Sequence, residues 1–164
     1  MSIHFLHTRS YERTFMKHKL IRIALVILEV FVALGAIAGG IGLLTGAIPA
    51  SLEGLQGSLF VDYTIPALSL MVIVGGSMLL AAASILSGRE IGVLASALAG
   101  LIMMGFEVVE AAVIDRIGGS QLLFAVSLQA FYFALGLAIF VLACYIWVAE
   151  YRSYHFPARH ASHV

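Results

Sequence analysis

The sequence predicts an all-α protein, an antiparallel four-helix transmembrane bundle with both termini in the cytoplasm. Three observations predict it. Of the 164 residues, 62% are hydrophobic and only 11% are charged. The apolar residues gather into four stretches, 23–44, 65–86, 91–114 and 122–149, each meeting the roughly 20 residues that a bilayer crossing needs. The cations are spread unevenly around these stretches, and Lys and Arg set the orientation of membrane helices.

Five cations, Arg9, Arg13, Lys17, Lys19 and Arg22, precede the first span, and the connection 45–64 carries none. Arg89 falls between spans two and three, Arg152 and Arg159 fall in the tail, and only Arg116 lies on the other side. This asymmetry predicts a cytoplasmic juxtamembrane segment (1–19), a membrane domain (20–149) and a cytoplasmic tail (150–164), with the plasma (cytoplasmic) membrane as the compartment. The first apolar run starts near residue 20 and no convincing A-x-A site follows it, so it is read as a retained span.

Several classes of function are disfavoured. The formal net charge is zero, whereas phosphate binding calls for a basic face, so nucleic acid is not an expected partner. The expected partner is the lipid bilayer, with a second copy or another membrane protein left open. The single cysteine, Cys144, excludes an intrachain disulfide and a CxxC pair. All six histidines, His4, His7, His18, His155, His160 and His163, lie outside the predicted spans, which removes the usual axial ligands of an intramembrane haem. The pairs His4/His7 and His160/His163 have metal-compatible spacing but are read as solvated tail residues. No cofactor and no metal site are predicted.

The first span carries Gly35, Gly39, Gly40 and Gly42. Gly35 and Gly39 form a GxxxG pair, which allows helix backbones to approach. Glu29 lies in the inner half, about 10 Å beyond Arg22 at 1.5 Å per residue, and is a candidate second acidic site. Ahead of this span, Phe5, Leu6, Tyr11, Phe15 and Met16 mix with cations, a composition that suits either an interfacial segment or a disordered one. In the connection, Pro49 is placed to open a short helix, with Leu52 and Leu55 dipping into the interface. Asp62 is placed to cap the second span, Pro66 sits in its first turn, and Tyr63 is placed like a belt aromatic.

The second span carries Ser69, Gly75, Gly76, Ser77 and the run Ala81–Ser84. The linker Ser87-Gly88-Arg89-Glu90 is so short that spans two and three must be neighbours. The third span has small residues every four positions, at Gly92, Ser96 and Gly100, and Glu107 returns to nearly the same face seven residues on. A carboxylate in hydrocarbon costs roughly 2.5–3.5 kcal/mol even on the lenient insertion scale, so Glu107 and Glu110 demand a polar interior or a function. Each also disfavours ionisation of the other, so at least one, with Glu107 the deeper, is expected to be protonated at neutral pH.

A hairpin through Gly118-Gly119 joins spans three and four. Counting from it, Glu107 and Gln129 fall at matching depth, about 12 Å from their helix ends, and Ser69 matches Glu110 at about 7 Å. Glu107, Glu110, Gln129 and Ser69 thus form a candidate intramembrane polar cluster. The fourth span is aromatic, with Phe124, Phe131, Tyr132, Phe133, Phe140, Tyr145 and Trp147, and Trp147, Tyr151 and Tyr154 are placed as an interfacial belt.

Ser58 to Pro66, the Gly75-Gly76 pair and Glu107-x-x-Glu110 resemble a pattern in small, uncharacterised four-span bacterial integral membrane proteins. The resemblance implies the fold and compartment already read, and brings no activity. A membrane-embedded Glu29 in the first of four spans is also similar to the small multidrug-resistance transporters. The present chain departs from them in length, in the two further acids of span three and in its one-sided charge bias. Three classes of function result. The leading one is a non-enzymatic accessory or structural membrane component with a buried acidic cluster. The alternative is a small proton- or cation-coupled transporter or channel using Glu107, Glu110 and Glu29. A membrane oxidoreductase or lipid-modifying enzyme ranks last, for want of intramembrane histidines, a cysteine pair or a convergent Ser/His/Asp set.

Overall fold

The structure is a computed structural model. It describes the backbone of residues 3–50, 52–56, 58–89, 91–114 and 120–155, and the side chains of 18–50, 52, 55, 56, 58–89, 91–112 and 126–150. The pairs His4/His7 and His160/His163, and Asp115, Arg116, Gly118 and Gly119, lie outside the described side chains. The chain is helical, with no strand among the described residues. Four helices among them are long and apolar enough to cross a membrane, over His18–Thr45, Thr64–Leu86, Ile91–Ala112 and Val126–Glu150.

The first helix runs without a break from Ile3 to Thr45, about 64 Å at 1.5 Å per residue. That is twice the roughly 30 Å of a hydrocarbon core, so its first turns extend beyond the span. Its buried positions, Leu25, Glu29, Val32, Ala33 and Ala36, recur every three to four residues and form one stripe. The outward face is also apolar, with Leu20, Ile27 and Leu34 all more than half exposed. A helix apolar all round suits lipid on one side and protein on the other.

Gly46 ends this helix in the left-handed conformation (φ 73°), which glycine adopts without the Cβ penalty. The chain then turns back, and the Ile48 N–H donates to the Gly42 carbonyl at 3.0 Å. The absent side chain at Gly42 makes room for this: a Cβ there would lie 2.7 Å from Ile48 Cδ1. A short 3₁₀ turn follows at Leu52–Leu55. Of the two leucines expected at the interface, Leu55 is buried and packs inward, where the turn contacts the third helix, while Leu52 is exposed. Asp62 Oδ1 accepts the Thr64 N–H at 2.8 Å and so satisfies a donor at the start of the second helix. This bond and the Thr64 side chain hold the Asp62 carboxyl below its ordinary value.

The second helix departs from the expected regular span. It comprises an α segment, Thr64–Ser69, a π turn, Leu70–Gly75, and a second α segment, Gly76–Leu86. A Schellman arrangement closes it. Gly88 takes φ 68°, its N–H donates to the Ile85 carbonyl at 3.0 Å, and the Arg89 N–H donates to the Ser84 carbonyl at 3.2 Å. The third helix, Ile91–Ile114, and the fourth, Ser120–His155, share the most extensive helix–helix contact. At the opposite end of the bundle, Arg22 Nη2 donates to Glu150 Oε1 at 2.6 Å, joining the start of the first span to the end of the fourth. The side chains are 27% and 31% exposed, so the pair contributes at most about 1 kcal/mol.

Candidate functional site

The third helix buries Gly92, Val93, Ser96, Ala99, Gly100, Met103 and Glu107, and exposes Leu94, Leu98, Leu101, Gly105, Val108 and Val109. Glu107 therefore belongs to the stripe that faces the bundle, and it is only 5% exposed. Glu110, one turn on, is half-buried. The fourth helix buries Gly136, Ile139, Ala143 and Ile146, and Gln129 and Tyr132 extend that stripe as half-buried residues.

These two helices touch backbone to backbone. A Cβ on Gly100 would lie 2.7 Å from the Gly136 carbonyl oxygen and 3.0 Å from the Phe140 nitrogen, and one on Gly136 would lie 3.1 Å from the Gly100 carbonyl oxygen. Glu107 follows Gly100 by seven residues and Gln129 precedes Gly136 by seven. Each is therefore two turns, about 10 Å, from the crossing. Gly92 makes a second close approach, its Cβ position lying 2.8 Å from the Ile85 nitrogen in the second helix.

Beyond the crossing the helices leave a cavity of about 350 Å³. The first helix lines it with Val32, Gly35, Ala36, Gly39 and Leu43, and the π turn adds Leu70 and Val74. The polar side is Glu107, Glu110, Gln129 and Tyr132, while Ile48, folded back by the Gly46 turn, covers part of the end. Three of the four residues of the expected cluster thus meet on one cavity, whereas Ser69 is not among the lining residues. Gln129 Nε2 is buried and makes no hydrogen bond, and no hydrogen bond among the described residues reaches the Glu107 carboxyl. A buried amide donor left open costs about 1–3 kcal/mol.

Gly35 and Gly39 face side chains across this cavity. Their Cβ positions would lie 3.0 Å from Tyr132 Oη and 3.4 Å from Leu70 Cδ2. The backbone approach in the first helix occurs one residue along, at Gly40, whose Cβ would lie 2.8 Å from the Ala67 carbonyl oxygen. Glu29 sits apart from the cavity. It is 0% exposed, and neither carboxyl oxygen has a hydrogen-bond partner by geometry. Ser96 is the polar side chain beside it, but the Ser96 hydroxyl donates to the Gly92 carbonyl at 3.0 Å. A hydroxyl has one hydrogen to give, so that of Ser96 is not shared with the Glu29 carboxyl.

One lining residue of the cavity and one neighbour of Glu110 were not singled out from sequence. Tyr132 reads as one aromatic among many, although its place three residues after Gln129 puts both on one helix face. Tyr63 reads as a belt residue, yet its phenol is held above its ordinary value, first by burial and then by the charge of the nearby Glu110. No sequence spacing links those two. Among the described residues no group of three or more His, Cys, Asp or Glu side chains is placed to hold a metal ion.

Fold and site together define a class, a helical chain with four membrane-length apolar helices and a cavity with an acidic side, which points to a multi-pass membrane protein. Comparison with protein-family models, curated proteins and solved structures finds no match.

Proposed function

We propose that the protein is a non-enzymatic, multi-pass protein of the cytoplasmic membrane whose acidic cavity binds a small organic cation. In this reading the helices form an antiparallel bundle with both termini in the cytoplasm, an orientation supported by the five cations ahead of the first span. The observation that carries the proposal is the cavity itself. An acid that only held helices together would be closed over by the groups it bonds. Glu107 instead lines about 350 Å³ of space, with the Gln129 amide nitrogen unbonded among the lining residues. This favours the ligand-handling alternative over a purely structural role for the acids.

The size and lining select the ligand. An apolar cavity of about 150 Å³ accepts a benzene molecule, so the present one admits an aromatic ring with a short chain. The walls, Val32, Leu43, Leu70, Val74 and Met103, are apolar, and the charge-bearing groups are confined to the third helix. An ammonium group against Glu107 and Glu110 with an apolar body against the other helices satisfies both surfaces. Association with a second copy or another membrane helix is supported by Gly105, which faces outward with nothing within 4 Å of its Cβ position.

The test uses the full chain in lipid nanodiscs, titrated with 2-phenylethylammonium and with its neutral counterpart 2-phenylethanol. The cation is expected to bind at least tenfold more tightly, about 1.4 kcal/mol. Glu107→Gln should remove that preference while the thermal midpoint is kept. Equal binding of the two probes, or an undiminished preference in Glu107→Gln, would overturn the proposal.

A further inference from the structure

We infer that Glu29 and Ser96 form a second site beneath the cavity, and that its ligand is a proton. The argument is one of hydrogen-bond direction. Glu29 is fully buried with both oxygens unpartnered, and the polar side chain beside it is Ser96. The one hydroxyl hydrogen of Ser96 is committed to the Gly92 carbonyl at 3.0 Å. What Ser96 Oγ still offers is lone pairs. An ionised carboxylate can only accept, so in this arrangement it has no bond to make. A protonated Glu29 has an O–H to give, and the chain Glu29 O–H to Ser96 Oγ, then Ser96 O–H to the Gly92 carbonyl, satisfies every hydrogen in it.

The surroundings select a proton over a metal cation. A hard cation takes about six or more oxygen ligands, and the site offers one carboxyl and one hydroxyl. The second helix, from Thr64 to Leu86, has no ionisable side chain, and neither has the third from Ile91 to Phe106. Among the described side chains of the fourth helix, the ionisable groups of that half are Cys144, Tyr145 and Glu150, with Glu150 paired to Arg22. His18, Lys19 and Arg22 lie two or more turns away on the first helix itself. Among the described side chains, Glu29 thus has no counter-ion to hold it charged.

The site lies outside the cavity but close to it. Val32, one turn beyond Glu29, lines it, and so does Met103, two turns beyond Ser96. Release of the proton requires Ser96 to turn its hydrogen from Gly92 to the carboxylate, and a cation in the cavity favours the resulting negative charge. The two ligands therefore compete, and by linkage each weakens the other to the same degree. This coupling rests on the cation-binding reading of the cavity, whereas the proton site does not.

The experiment has two arms on the full chain in nanodiscs. Infrared difference spectra without ligand should show a protonated carboxyl stretch at neutral pH that Glu29→Gln removes. Ser96→Ala should shift this band and Glu29→Asp should retain one, with unchanged helical circular dichroism in each variant. Absence of a band that Glu29→Gln removes would overturn the proton site. In the second arm, 2-phenylethylammonium is added in weak buffer with a pH dye. Fewer protons should be released in Glu29→Gln than in the wild type, with binding retained. Equal release would overturn the coupling. Failure of the probe to bind would overturn the coupling and the cation reading, while the infrared arm would still decide Glu29 on its own.

Discussion

At the scale of single residues, the absence of a side chain matters as much as the acids do. Gly100 and Gly105 lie on one helix in opposite surroundings. A methyl on Gly100 meets the Gly136 carbonyl and the Phe140 nitrogen, backbone atoms that cannot rotate away. Overpacking of this kind costs about 1–3 kcal/mol. A methyl on Gly105 meets nothing within 4 Å, and replacing a helix glycine by alanine gains roughly 0.5–1 kcal/mol. Thermal unfolding in detergent should therefore fall for Gly100→Ala and hold or rise for Gly105→Ala. The burial of Glu107 was legible in the sequence, because two turns after Gly100 it returns to the face of Gly92, Ser96 and Gly100. The partner of Glu29 was not. Ser96 lies 67 positions away on a different helix, and only the rotation of both helices about their axes brings the two together.

At the scale of elements, the apolar runs and the Gly-containing linker made the helices legible, since length and polarity alone decide them. The π turn at Leu70–Gly75 was not legible, because it leaves the hydropathy of the span unchanged. Its effect is local. Val72 and Ile73 are both exposed, at 67% and 52%, while Val74 and Gly75 are both buried, a pairing that the widened turn spreads over one face. Such single-turn insertions recur at functional sites, and here Leu70 and Val74 line the cavity. Deleting Val72 should restore a regular helix while leaving Ala67 and Met78 on their buried side. The variant is expected to keep its helical circular dichroism and to bind 2-phenylethylammonium about tenfold more weakly, a change of about 1.4 kcal/mol. Undiminished binding would show that the π turn has no part in shaping the cavity.

At the scale of the whole molecule, the charge bias predicts one orientation in the membrane. The connection after the first helix should face outward. On a Cys144→Ser background, the substitution Glu53→Cys should react with an impermeant thiol reagent added to intact cells. Labelling only after the membrane is opened would reverse the topology. The outward faces of the helices bear this membrane setting out, with Leu80, Leu98 and Val108 more than half exposed, a surface that water would not tolerate as a continuous belt. The sequence placed Glu107 and Gln129 at one depth, but depth is a single coordinate. The cavity between them also depends on how far the helices stand apart, which is set by the contacts at Gly100, Gly136 and Gly40.

The crossing at Gly100 and Gly136 also has a mechanical meaning. Two stiff rods whose closest approach lies at one crossing pivot there as on a fulcrum, and clearance opened at one end is taken from the other. Measured along the third helix, the arm to Glu107 is about 10 Å and the arm to Ser96 about 6 Å. A tilt that widens the Glu107 level by about 1 Å therefore narrows the Ser96 level by about 0.6 Å. The two polar levels would sense each other through leverage, even with every charge removed.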